Sequence, residues 1–257
     1  MSGDDLAFKT EQVGQRLLPF VSMLVLLPDR NAGPKDVISN GTASFVDTGK
    51  RKLVITAGHV VDSFLEVRKT NPNAIIALSG GGDRAPLFDI SAAEVLDHGK
   101  QSLDLAILAL PNSGLIAHLG KSFFRSAEWP PVRSVVGAQA GGVGFPGLHR
   151  EASFRGLEIR ATVLCDSITS VSSRHFVLAD EQLGRVAVKH SPALKDFGSY
   201  GGMSGCAVYI LDDKGLPVQL AGFVYESGDG VSATIFVAHA AFIKSDGRLD
   251  WNALHAL

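Results

Sequence analysis

The chain is poor in cysteine, in charge and in long apolar runs. Only Cys165 and Cys206 occur among 257 residues, too few for a disulfide framework. Charged residues make up 19%, and the net charge of -2 with a pI near 6.4 gives no electrostatic reason to expect a nucleic acid as partner. The basic residues are scattered, as on an ordinary solvated face. The apolar run Leu17–Leu27 is too short to cross a bilayer. Ahead of it, Asp4, Asp5 and Glu11 stand against Lys9 and Arg16, the wrong charge sign for the front of a signal peptide. Membrane association is therefore not expected. His98, His118, His149, His175, His190, His239 and His255 have no partners at ligand spacing, and the acidic pair Asp212-Asp213 reads as a turn. No metal or cofactor is expected.

What is present suits a β protein. A hydrophobic content of 46% and 28 glycines allow a full core in one large or two small domains, with many turns. Leu6, Phe8, Val13 and Leu17 are spaced for a short amphipathic helix, and the run to Leu27 reads as the first strand. Thr42–Val46 pairs with Lys52–Ile55 across Asp47-Thr48-Gly49-Lys50, a turn signal. Further strands are expected at Ala74–Leu78, Phe88–Ile90, Val95–Leu96, Leu103–Leu110, Leu157–Leu164, Phe176–Leu178, Arg185–Val188, Cys206–Leu211, Gln219–Tyr225 and Ala233–Ala238, with a C-terminal helix over Leu249–Leu257. Gly80–Asp83 reads as a loop. Residues 111–133, with Pro130-Pro131, read as the connection between two halves. Gly142-Val143-Gly144-Phe145-Pro146-Gly147 formally matches G-x-G-x-x-G, but Pro146 and the lack of a following amphipathic helix argue against a dinucleotide site. A glycine-rich hairpin turn is the better reading.

Three segments carry chemistry. Ser199-Tyr200-Gly201-Gly202-Met203-Ser204-Gly205-Cys206 sets a serine among glycines before an apolar strand, so the hydroxyl is presented at a turn and a carbonyl can approach main-chain N–H groups. Serine needs a base to take its proton, and the base needs a third group to orient it. Thr56-Ala57-Gly58-His59 puts a histidine just past a β-branched strand, and Asp104-Leu105-Ala106 puts a carboxylate at the head of an apolar one, where a charge is costly unless paired. Each alone has a plainer reading: a turn, a satisfied strand-end histidine, a strand cap.

In the order His59, Asp104, Ser204 these segments resemble the chymotrypsin/trypsin-like serine protease family, in its bacterial type without a disulfide framework, over roughly residues 20–245. The order differs from that of α/β-hydrolases and subtilisins. The resemblance implies an all-β fold of two packed antiparallel six-stranded barrels with a short C-terminal helix, one barrel over residues 1–120 and one over 121–257. It implies a serine endopeptidase in which His59 is the base, Asp104 its orienter and Ser204 the nucleophile, with an oxyanion hole from the N–H groups of Gly202 and Ser204. It places the pocket for the side chain before the cleaved bond at Gly198 and Ser199, walled by Tyr225, Glu226 and Ser227. No acid stands at the expected floor, which favours small or apolar side chains, although Asp196, Glu226 and Asp229 are near in sequence. Digestive members carry an aspartate just before the serine, paired with a new N-terminus; here Met203 cannot make that pair, so the Gly201-Gly202 peptide is ordered intrinsically or by a partner. Secreted relatives are usually cross-linked, so two cysteines point to a reducing compartment, the cytoplasm. Cys206 reads as a buried apolar thiol. The alternative is a catalytically silent, protease-like peptide-binding module.

Overall fold

A computed structural model of the chain describes residues 3–33, 36–79, 87–99, 103–146, 150–153, 156–159, 161–179, 202–227 and 234–256. The loop expected at Gly80–Asp83, the strand expected at Arg185–Val188, and Gly198 and Ser199 lie outside these residues. The first half is a sheet of β1 (Val21–Leu27), β2 (Ser39–Asp47), β3 (Lys52–Ala57), β4 (Ile75–Ser79), β5 (Leu87–Asp89), β6 (Glu94–His98), β7 (Leu105–Ala109) and β8 (Phe124–Arg125). Its order is β5-β4-β1-β2-β3-β7-β6, with β8 parallel to β2. Among the described residues β5 and β6 remain its two edges, so this half is an open half-barrel. The β2–β3 hairpin has the expected register, with Phe45 opposite Val54 and Asp47 opposite Lys52. Gly49 turns at φ 84° while its N–H donates to the Asp47 carboxylate at 2.8 Å, a turn chemistry that glycine and aspartate supply readily.

The second half is a closed barrel of β9 (Gln139–Gly144), β12 (Thr162–Val171), β13 (His175–Ala179), β14 (Ala207–Leu211), β15 (Pro217–Ser227) and β16 (Thr234–His239), in the order β12-β13-β16-β15-β14-β9. A separate hairpin of β10 (Arg150–Ser153) and β11 (Gly156–Ile159) stands beside it. The run expected as one strand from Leu157 to Leu164 is thus divided between β11 and β12. The glycine-rich segment is not a hairpin turn: Gly141, Gly142 and Gly144 lie within β9. The reason is close packing. A Cβ on Gly142 would come within 2.7 Å of Ala207 O and 2.9 Å of Cys206 Sγ, and one on Gly144 within 2.7 Å of Met203 Sδ.

Among the described residues there are four α-helices: α1 (Gly3–Leu17), α2 (Gly58–Thr70), α3 (Leu115–His118) and α4 (Trp251–His255). The amphipathic helix expected before the first strand is α1, and the strand after it begins at Val21 rather than Leu17. Val13 and Leu17 are buried. The helix packs on β9 and β12 of the barrel, and the Arg16 guanidinium donates to Lys214 O. At the other terminus the chain returns to the sheet, where Thr48 Oγ1 donates to Ser245 O at 2.7 Å and Leu249 N to Asp97 Oδ2 at 2.9 Å. One apolar core joins the halves, with Leu53, Ile55 and Phe124 of the sheet against Val143, Tyr209 and Phe223 of the barrel. The sheet has its own core around Leu24, Phe45 and Leu108, and the barrel one around Leu164, Phe176 and Val237. These cores hold the elements next to which His59, Asp104 and Ser204 stand.

Candidate active site

His59 stands in the first turn of α2, which follows β3 without a loop. Val60, Val61 and Phe64 bury one face of this helix over the sheet, and the imidazole is left 55% exposed. Asp104 immediately precedes β7, and its backbone takes φ 43°, a left-handed conformation that aspartate tolerates better than most residues. That bend lets one residue hold the turn three ways. Asp104 O accepts from Gly58 N at 2.8 Å, Oδ1 accepts from His59 N at 2.8 Å, and Oδ2 accepts from His59 Nδ1 at 2.6 Å. With Nδ1 as donor, the Nε2 lone pair is free to take a proton. The hydrogen bond to Asp104 raises the His59 pKa above the ordinary imidazole value of 6.5. Partial burial opposes the rise, and the negative charges of Asp104 and Asp62 add to it.

Ser204 lies in the turn before β14. Gly205 carries this turn at φ 91°, and a Cβ there would come within 2.3 Å of Thr42 O, 2.8 Å of Thr56 Cα and 2.9 Å of Ala57 N. The residue after the serine is therefore pressed against the last turnings of the strand that leads to His59. Hydrogen bonds fix it there: Ser44 Oγ donates to Gly205 O at 2.8 Å and accepts from Ala207 N at 2.8 Å, and Gly205 N donates to Val224 O at 2.7 Å. Ser204 itself is half-buried. Among the described residues no hydrogen bond joins Ser204 Oγ to the His59 ring, and the N–H groups of Gly202 and Ser204 make none. N–H groups placed on a turn beside a serine, and without a partner among the described residues, are of the kind that can receive a negative oxygen.

Tyr225, Glu226 and Ser227 follow Val224 on β15, where the register shifts between Val224 and Glu226. Tyr225 is half-buried, its ring 6.3 Å from those of His175 and Phe236. Cys206 is fully buried, and burial pushes its thiol pKa well up, so it carries no reactive thiolate. Among the described residues, no group of three or more His, Cys, Asp or Glu side chains comes together to hold a metal.

Two residues at the site have no sequence motif. His98 on β6 reaches behind the Gly58–His59 turn, with Nε2 3.2 Å from Gly58 O and 3.4 Å from Asp62 Oδ1. It also explains Gly58, because a Cβ there would lie 2.9 Å from His98 Cε1 and 2.9 Å from Asp104 Oδ1. Thr42 on β2 is fully buried and bonded to the Ser204 turn across the two halves.

No family model matches the chain, and no curated protein matches it. Solved structures do. The thermostable serine protease AL20 from an extremophilic microorganism superimposes with a TM-score of 0.51 at 12% identity, covering 86% of this chain and 91% of its own. Human heparin binding protein gives 0.50 at 14%, covering 88% and 89%. At such identities the likeness is one of fold. The chain has the chymotrypsin-like fold of two β halves that serine proteases such as AL20 use.

Proposed function

We propose that this chain is a serine endopeptidase working through His59, Asp104 and Ser204. The observation that carries this reading is the double hold of Asp104 on His59, through backbone N–H and ring Nδ1, which turns the open Nε2 into a base. His59 Nε2 takes the Ser204 proton as Oγ attacks a peptide carbonyl, and the oxyanion receives the N–H groups of Gly202 and Ser204. The imidazolium, stabilised by Asp104, then protonates the leaving amine, and water hydrolyses the acyl-enzyme by the same steps in reverse. Gly198, Ser199, Tyr225, Glu226 and Ser227 form the pocket for the residue before the cleaved bond. One half carries His59 and Asp104 and the other carries Ser204. The substrate is a protein or peptide in the cytoplasm. Cys165 and Cys206 form no disulfide, and no helix of the described residues is long and apolar enough to cross a membrane.

A second reading is favoured by the missing Ser204–His59 hydrogen bond: a silent module that holds a peptide without cleaving it. A fluorophosphonate probe separates the two. The hydrolase is labelled on Ser204, and labelling is lost in Ser204→Ala. A binding module gives no covalent adduct. Labelling that needs an added cell extract, rather than the isolated protein, assigns an activating partner.

A further inference from the structure

Thr42, like Ser44 beyond it on β2, grips the Ser204 turn from the first half. Its Oγ1 donates to Gly202 O at 2.7 Å, and its backbone N–H donates to Ser204 O at 3.3 Å. One residue thus holds the carbonyls on both sides of Met203. The grip is itself aligned: Oγ1 accepts from Phe145 N at 3.0 Å, and Thr42 O accepts from Thr56 Oγ1 at 2.8 Å. Thr42 and Met203 are buried, and Met203 Sδ fills the space beside Gly144. These carbonyls belong to the Gly202–Met203 and Ser204–Gly205 peptides, which bracket the Met203–Ser204 peptide that bears the Ser204 N–H, so that fixing both limits how this amide can turn. Among the described residues the N–H groups of Gly202 and Ser204 have no partner. Gly202 reaches this shape at φ 98°, which glycine adopts at little cost.

We infer that Thr42 is a positioning residue that sets the oxyanion hole, holding the Gly202–Ser204 backbone in its working conformation from within the folded chain. The inference rests on the endopeptidase reading for its catalytic consequence, but the clamp is a property of the fold. Its hydroxyl is what matters. Valine keeps the shape and removes the bond, leaving the part-buried Gly202 O and the buried Phe145 N without it, whereas serine keeps the bond.

Thr42→Val and Thr42→Ser are compared in the full chain, with folding checked by circular dichroism. Thr42→Val is expected to lower kcat by about ten- to a hundredfold, less than the loss of a whole hole donor, with KM little changed. It should weaken a peptidyl trifluoromethyl ketone, which forms a tetrahedral oxyanion, but not the matching peptidyl alcohol. Thr42→Ser should restore kcat to within about threefold, since the hydrogen bond remains. Equal weakening of both ligands, or an unaffected kcat in folded Thr42→Val, overturns the inference. A fold-only readout separates it from the functional reading. In a ¹⁵N-labelled sample the amide resonances of Met203 and Phe145, whose peptides the hydroxyl touches, should move in Thr42→Val and stay in Thr42→Ser. If they do not move, the clamp is wrong whatever the activity. If they move while the wild type neither labels nor cleaves, the clamp stands and hydrolysis falls.

Discussion

Gly205 and Thr42 meet backbone to backbone: the space a methyl group on Gly205 would need lies 2.3 Å from Thr42 O. This contact sets the serine turn of the barrel against β2 and the end of β3. It joins residues far apart in sequence and leaves no room for any side chain.

Gly205→Ala is therefore expected to be severe. The added methyl meets main-chain atoms, which cannot rotate away, and the backbone sits at φ 91°, where an L side chain is strained. Each effect costs about 1–3 kcal/mol, so urea unfolding should show a loss of about 3 kcal/mol or more. A loss below about 1 kcal/mol would mean that the two halves do not meet at Gly205 and Thr42.

The Asp104–His59 pair predicts a separation of function from fold. Asparagine tolerates the left-handed backbone of residue 104 as aspartate does, so Asp104→Asn should keep its melting temperature within a few degrees. Its one carbonyl oxygen cannot accept from both His59 N and His59 Nδ1, and its amide group offers the ring a donor instead. The imidazole then loses the tautomer with an open Nε2, and kcat should fall by about 10⁴-fold, as in triads generally. Retention of more than a tenth of the activity would remove Asp104 from the mechanism.

The pH profile follows from the raised His59 pKa. The base works only when neutral, so kcat/KM should rise with pH along a limb centred above the ordinary imidazole value of 6.5. Asp62 contributes to that rise by its charge. In Asp62→Asn the imidazolium loses a stabilising neighbour, its pKa falls, and the limb should move to lower pH while the plateau stays near the wild-type level. Because His98 Nε2 lies 3.4 Å from Asp62, His98→Gln serves as the control. A limb that moves to higher pH in Asp62→Asn contradicts the electrostatic account.

The sequence-visible parts of this site are those whose chemistry is local. The β2–β3 hairpin is legible because Asp47 and Gly49 write their own turn, and the pairing of His59 with Asp104 is legible from their types and their places at strand ends. The helix that carries His59 is not: the sequence marks only the strand end before it, and the burial of Val60, Val61 and Phe64 over the sheet is what gives the segment its helical face. Gly141, Gly142 and Gly144 read as a turn because the reason for their small size lies on β14 and in the turn before it, in Ala207, Cys206 and Met203 among others. His98 and Thr42 escape for the same reason. His98 reaches Gly58 through the pairing of β6 with β7, and Thr42 meets Gly202 across 160 positions of sequence. Their roles belong to register and docking, which no spacing rule encodes.

Met203 predicts how the turn answers a charge. Its side chain is 1% exposed and shares a core with Leu164, Phe176, Val208 and Val224. Leucine should be tolerated at a cost below about 1.5 kcal/mol, being similar in volume. Aspartate would bring a carboxylate into this apolar core, where burial favours its neutral form and raises its folded pKa above that of the unfolded chain. The unfolded chain then holds fewer protons over the window between the two values, so the deficit in stability grows as pH rises above the ordinary carboxylate range. Met203→Asp should thus be least destabilised near pH 4 and most destabilised at neutral pH and above, with its labelling by fluorophosphonate falling in parallel. Stability that instead improves from pH 4 to 8 would reveal a cation beside the turn, and with it an activation device of the kind the digestive proteases use.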